Sequence, residues 1–379
     1  MLSPNALRVL DSLGVYERIR SKGYNFESLA FKNENGETTG LYYFGHQKLY
    51  GYKALRIYRQ VLVSELLMMM EERSISIKFE KKFSHVISES DDGVAFQFAD
   101  GSTEWTTLLI GADGIHSKVR RYVSPSAAPS YSGQLAITSA IERSKLRFPV
   151  GIDYPLPVSI SAKPGAFILA PQDVDGGEVL VGTQRVFPER DRAGWDKLAS
   201  AKSELMELFQ FNMNEWPDIV QSALENIPRD GITIWPYYTV PRLEKWASDG
   251  KRVIILGDAA HAIPPTAGQG VNQAFEDTYT LALVLSRLSS GIPLSEALRF
   301  WQTYRQERVD KVLDLTRQMN NKRLPAAEQE MLARESVWQD ESKTRGEGGQ
   351  LGWLYHPRLD EEVLSWVERQ QGDQSMNKI

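Results

Sequence analysis

Two stretches near the start of the chain repeat apolar residues every three or four positions, the spacing of a half-buried helix. The first carries Leu7, Leu10 and Leu13, with Ser3 placed as N-cap and Pro4 in the first turn. The second is RQVLVSELLMMMEER, Arg59–Arg73. Between them, residues 26–58 read as short strands and turns, with Asn35-Gly36 as a hairpin signal. The period then falls to two, which predicts strands at Ile75–Phe79, Phe83–Glu89 and Val94–Phe98 with turns at Asp91-Asp92-Gly93 and Asp100-Gly101. Thr106–Gly111 reads as one buried strand running into GADG, and His116–Val123 as helix. Leu135–Val186 is mostly strands broken by Gly and Pro. Arg192–Phe211 and Glu215–Glu225 read as two helices, Ile232–Trp235 as a strand, and Val253–Ile255 as a buried one. After Asn272 the pattern is almost wholly helical, through a Gly-broken polar stretch at Arg345–Gly352 to a last helix at Leu359–Gln371.

Composition narrows what this organisation can be. At 379 residues with 42% hydrophobic and 25% charged content, the chain has material for about two domains of an ordinary globular protein. The net charge of −5 and the lack of a basic tract with interleaved aromatics argue against nucleic-acid binding. Cysteine is absent, which excludes disulfides, thiolate catalysis and cysteine-based zinc sites. The five histidines (His46, His85, His116, His261 and His356) show no metal-ligand spacing. No apolar run has membrane-spanning length and the first residues lack a signal-peptide pattern, so the expected location is the cytoplasm.

The segment with most chemistry is VIILGDAAHAIPPTAGQGVNQ, Val253–Gln273. Four β-favouring apolar residues run into Gly257-Asp258, a Pro- and Gly-rich loop follows, and a helix begins. An acid at such a turn can accept hydrogen bonds from ligand hydroxyls. Gly268 and Gly270 admit close approach of the backbone, and a helix start presents unpaired N–H groups to negative charge. LIGADGIHSKVR, Leu109–Arg120, has the same strand–turn–helix layout with Asp113 at its turn. Either acid alone is as well explained by helix capping. His261 reads as a structural hydrogen-bonder more than as a base, and Arg120 and Arg121 as a solvated helix face. Trp235, Tyr237 and Tyr238 are equally suited to a substrate cavity and to aromatic core.

Taken together, in this order and at this separation, the two motifs resemble the DG and GD motifs of FAD-dependent monooxygenases of the p-hydroxybenzoate hydroxylase and salicylate hydroxylase type. Arg59 in IYRQVLVSELL is similar to an arginine those enzymes carry before a helix, and LSPNALRVLDSLGVYERI to the helix after their first βαβ unit. The resemblance implies an α/β fold: a Rossmann-type FAD-binding domain from residues 1–130 and 236–330, an inserted mixed β-sheet substrate domain at 131–235, and a helical C-terminal part at 331–379. It implies FAD as cofactor and NAD(P)H and O2 as co-substrates, acting on a small organic compound. Asp258 would meet the ribityl chain. Gly268, Gly270, Val271 and Asn272 would lie against the flavin ring, with Pro265 along its face. Asp113 would serve the pyrophosphate regions, and Arg59 phosphate or ribose oxygens.

Two features depart from that family. No GxGxxG occurs in the sequence, and the chain opens at the helix expected to follow the βαβ unit that carries it, so that unit is expected to be missing. Two or three backbone hydrogen bonds to a pyrophosphate are worth about 1.5–3 kcal/mol each, and a loss of about 4 kcal/mol weakens binding roughly a thousandfold. The expectation is an incomplete gene reading or a truncated paralogue with impaired FAD binding; an oxidase or dehydrogenase on the same scaffold is a further alternative. Second, Thr138 in YSGQLAITSAIERS stands where many relatives place an arginine, which points to a bulkier or less acidic substrate.

Overall fold

A computed structural model describes residues 1–151, 153–288, 292–341, 345 and 349–376. The described chain divides into two compact units, one of residues 1–69, 131–237 and 315–356, the other of 70–130, 238–314 and 357–379. No described helix is long and apolar enough to cross a membrane.

The first unit is built on a seven-stranded mixed sheet. Its order is Thr233–Thr239, Ser130–Glu142, Glu178–Val186, Gly165–Pro171, Val158–Ala162, Ser28–Lys32 and Thr38–Tyr43. Val158–Ala162 and Ser28–Lys32 run parallel, and the strands from Ser130 to Ala162 in that order pair antiparallel. Asn35-Gly36 turns the chain between the last two strands, with Gly36 at φ +81° and the Asn33 side chain accepting from the Asn35 and Glu37 amides. Alternate residues of this sheet, among them Leu135, Ile137, Val158, Ile160, Phe167, Leu169, Val179 and Val181, form one apolar face. Three helices cover it, Arg192–Ser200, Lys202–Gln210 and Asp218–Glu225. Phe167 sits at the centre, its ring 6.0 Å from Phe209 and 5.6 Å from Trp216.

Arg192–Phe211 was expected as one helix and is two. The backbone breaks at Ala201 (φ −82°, ψ 68°), whose N–H still reaches the carbonyls of Lys197 and Leu198. Each half then buries its own apolar pair, Trp195 with Leu198 and Leu205 with Phe209.

The second unit holds an antiparallel meander of Phe83–Glu89, Val94–Phe98 and Thr103–Thr106, and a two-stranded parallel sheet of Leu109–Gly111 with Val253–Ile255. The single strand expected over Thr106–Gly111 is therefore two, in different sheets, with the Thr106 hydroxyl turning back onto the Leu108 carbonyl. The strand expected at Ile75–Phe79 does not form. Its alternation is strand-like, but among the described residues no neighbour supplies a ladder, and an isolated strand has nothing to pay for its ordering. Ile75 and Phe79 stay 50% and 68% exposed. Long helices complete the chain at Gly270–Leu285, Leu294–Asn321 and Leu359–Met376. Within the polar stretch Arg345–Gly352, residues 346–348 lie outside the described ones, and Gly349–Leu351 is a single tight turn.

Replacing Phe167 by Ala is expected to lower stability by about 3–5 kcal/mol, read as a shifted urea midpoint with an unchanged slope.

Candidate functional site

Val253–Ile255 is buried at every position, as a strand flanked on both sides must be. It pairs with Leu109–Gly111 in register, Val253 opposite Leu109 and Ile255 opposite Gly111. The two motifs of the sequence thus leave the carboxyl ends of neighbouring parallel strands, the end at which open α/β sheets bind ligands. Gly111 lets the strand lie close under the following helix, since a Cβ there would meet Val119 at 2.6 Å. Past the strand end, Gly257 has φ +59° and ψ −142°, a region open to glycine alone. Asp258 then starts a one-turn helix, Asp258–His261, and is exposed while the other three residues are buried.

Pro265–Ala267 is a tight turn closed by Gly268 in the left-handed region (φ +64°, ψ 27°). The Gly270–Leu285 helix follows, and no side chain from its N-cap residue Gln269 bonds its first amides. A Cβ on Gly270 would stand 3.9 Å from Asp258 Oδ1, so the acid and the helix start are neighbours. Pro265 and Val271 are exposed, and Gly268 and Gly270 half-buried. Asn272 is fully buried and donates to the Gly268 carbonyl at 2.6 Å, holding the loop from behind. An exposed carboxylate, glycines at the close approach and a helix start whose N-cap side chain makes no capping bond are chemically suited to cradle a hydroxyl-rich, negatively charged group, such as the ribityl and ring portion of FAD.

Asp113 is exposed and caps the Lys118–Val123 helix. Its Oδ2 accepts from the Lys118 and Val119 amides at 2.7 and 3.3 Å, and its Oδ1 from the Ser117 hydroxyl. Arg120 is not the solvated residue expected. It is buried, and its guanidinium donates to the carbonyls of Ala259 at 2.9 Å, Ile115 at 2.5 Å and Ala127 at 3.3 Å, so it ties the first motif to the short helix of the second. Three diverging carbonyls suit a planar fork better than a point charge. Arg121 is exposed.

Beneath the cradle lies a buried network that the sequence reading missed. Asp277 Oδ2 accepts from the Gly257 amide at 2.9 Å and from His261 Nε2 at 2.6 Å, and Arg305 Nε donates to Oδ1 at 2.7 Å. Arg305 also donates to Glu276 and, at 2.6 Å, to Gln273 Oε1; Arg308 donates to both oxygens of Glu276 at 2.7 and 2.9 Å. Trp301 Nε1 reaches the Asp277 carbonyl at 3.1 Å. Burial alone would push the Asp277 carboxyl up, but His261 and Arg305 reverse that and hold it well below the ordinary carboxylate range. Its folded pKa being depressed, its contribution to stability is present above about pH 4 and is lost as pH falls below that. The signal for this network was the carboxylate pair in NQAFED together with two arginines three apart in YRQER.

Arg59 belongs to the other compact unit. It opens the Arg59–Glu72 helix, is exposed, and its guanidinium stands over the ring of Trp235, 5.5 Å from its centroid. Trp235 is 55% exposed and Tyr237 is buried; Tyr238 meets the His116 ring at 6.0 Å. Thr138 shares a hydrogen bond with Thr233, Oγ1 to Oγ1 at 2.8 Å.

A family model described as "FAD binding domain" matches residues 1–317. The chain belongs to that family. Among its relatives, 6-hydroxynicotinate 3-monooxygenase of Bordetella bronchiseptica is 26% identical over 330 residues, covering 82% of this chain and 78% of the relative. The 3-amino-4-hydroxybenzoate 2-monooxygenase of Streptomyces cremeus is 29% identical over 314 residues, covering 82% and 74%. A salicylate hydroxylase substrate complex shares the fold with a TM-score of 0.74 at 20% identity, over 96% of this chain and 89% of that one. HpxO of Klebsiella pneumoniae, crystallised with FAD and uric acid, shares it with a TM-score of 0.70 at 20% identity, over 96% and 87%. The α/β fold inferred from the sequence is this fold, and the chain is an FAD-dependent monooxygenase by family and relatives. These relatives give no support to a non-catalytic paralogue.

In this monooxygenase, Gly257→Ala is expected to cost about 1–3 kcal/mol for the forced φ, with further loss because the new Cβ stands 3.2 Å from that of Ala274; thermal unfolding reads it. Arg120→Lys is expected to lose about 1–3 kcal/mol by the same measurement, because carbonyls are left unpaired in a buried site.

Proposed function

We propose that this monooxygenase hydroxylates or epoxidises a small aromatic or secondary-metabolite-like substrate, consuming NAD(P)H and O2 and returning NAD(P)+ and water, and that it works in the cytoplasm. The reading rests on one observation above all, the exposed Asp258 carboxylate beside Gly270 at the start of the Gly270–Leu285 helix. Asp258 accepts hydrogen bonds from the ribityl hydroxyls. The amides at Gly270 and Val271 present the positive helix end to the ring, where it favours negative charge. Pro265 and Val271 offer apolar surface along the ring and keep water from it. Asp113 serves the pyrophosphate regions and Arg59 phosphate or ribose oxygens. FAD, when bound, supplies the redox chemistry, taking electrons from the nicotinamide and activating O2 for transfer of one oxygen atom.

The flavin-carrying part comprises residues 1–130 and 236–330, with 131–235 as the substrate side and 331–379 as a helical extension. Thr138, already bonded to Thr233, brings no positive charge to its strand, which supports a neutral or weakly acidic substrate over a strongly anionic one.

Two measurements test this. Titration with FAD, followed by quenching of flavin fluorescence, is expected to show binding that Asp258→Ala weakens about 10–100-fold, the worth of one charge-assisted hydrogen bond. A panel of neutral phenols and aromatic acids, including 6-hydroxynicotinate and 3-amino-4-hydroxybenzoate, is then screened for stimulated NAD(P)H consumption under labelled O2. One labelled oxygen in the organic product is expected. Nucleotide oxidation that yields only hydrogen peroxide across the panel would place the enzyme among oxidases.

A further inference from the structure

The one-turn helix Asp258–His261 is too short to hold its own direction, since a single turn fixes many dihedrals for one hydrogen bond. Yet its first residue carries the carboxylate on which the flavin reading depends. Both ends of this helix are bound to the same atom. The amide of Gly257, immediately before it, and Nε2 of His261, its last residue, both donate to Asp277 Oδ2, at 2.9 and 2.6 Å. Because a carboxylate only accepts, Nε2 is the donor in this contact. The other oxygen, Oδ1, is taken by Arg305 Nε at 2.7 Å, so the carboxylate cannot turn away. Asp277 and Arg305 are both fully buried.

The helix that carries Asp277 is also the one that starts at Gly270. One rigid element therefore presents its N-terminus next to Asp258 Oδ1 and, two turns further on, grips the short helix from which Asp258 projects. Arg120 holds the middle of the short helix through the Ala259 carbonyl at 2.9 Å, but Asp277 alone links it to the helix that starts at Gly270 through both of its ends.

We propose that Asp277 is the positioning residue of this cofactor cradle: through Gly257 and His261 it fixes the direction of Asp258 relative to the Gly270 helix start, while touching no ligand itself. The proposal rests on the flavin reading above and adds a residue to it.

Four proteins decide it: wild type, Asp277→Asn, His261→Gln and His261→Ala, each titrated with FAD by fluorescence quenching and with ADP by competition against a fluorescent adenine nucleotide. Asparagine keeps the size of the side chain but gives it one accepting oxygen and a donor that faces other donors. Asp277→Asn is expected to weaken FAD binding about 10–100-fold, to alter the visible circular dichroism of bound flavin, and to leave ADP affinity within about twofold of wild type. His261→Gln, which retains a donor toward Asp277, is expected to keep affinity within about threefold of wild type, whereas His261→Ala should approach Asp277→Asn. A purely structural role predicts that FAD and ADP weaken together, or that the folded fraction falls with its flavin spectrum unchanged; either result overturns the proposal. If Asp277→Asn does not fold, the contrast between His261→Gln and His261→Ala decides alone, and equal FAD affinity in those two overturns it. Failure of the wild type to bind FAD at all would overturn the flavin reading itself, a separate outcome.

Discussion

Two carboxylates and two guanidinium groups, Asp277, Glu276, Arg305 and Arg308, sit together in the interior of the second compact unit. Taking such charges from water costs several kcal/mol per ion, and their attraction repays it only when every lone pair and proton finds a partner. Here the planar fork of Arg305 meets both acids and Gln273, while Arg308 takes Glu276 in a two-point grip. The remaining oxygen of Asp277, Oδ2, accepts from both the Gly257 amide and His261. The geometry of the exposed cradle is therefore an outward expression of charge satisfaction in the interior. Trp246 and Trp301 enclose the group, the Trp246 ring 5.1 Å from His261 and 5.4 Å from Trp301, and keep its dielectric low.

Much of the exposed chemistry was legible in the sequence. The spacing of Gly257, Asp258, Gly268 and Gly270 specified a strand, a turn and a helix start, and the structure contains them. That reading succeeded because glycine and a turn acid act through local backbone requirements. The interior network was harder to see. Arg305 lies 28 residues beyond Asp277, and the spacing of Arg305 and Arg308, the one local signal, is equally that of a solvated helix face. Arg120 was misjudged for the same reason: its partners are backbone carbonyls, which have no sequence signature. Two strands were misjudged because strand formation depends on a neighbour. Thr106–Gly111 was divided between two partners, and Ile75–Phe79 has none among the described residues.

That unpartnered segment has a consequence for how the protein behaves in concentrated solution. SISIKFE, Ser74–Glu80, alternates apolar and polar residues with strong β propensity, and Ile110 on the nearby-in-sequence parallel strand is itself 45% exposed. Such a pattern is a template for pairing with an identical chain. The residues around it oppose that outcome. Lys78 is bound to Glu104 and Lys81 to Asp100, each at 2.6 Å, and Glu80 and Lys82 add two further charges. Any second copy laid alongside would have to break these pairs and bring like charges together. The ion pairs add little to folding at an exposed surface; their effect is colloidal, as gatekeepers that keep a strand-forming sequence from polymerising.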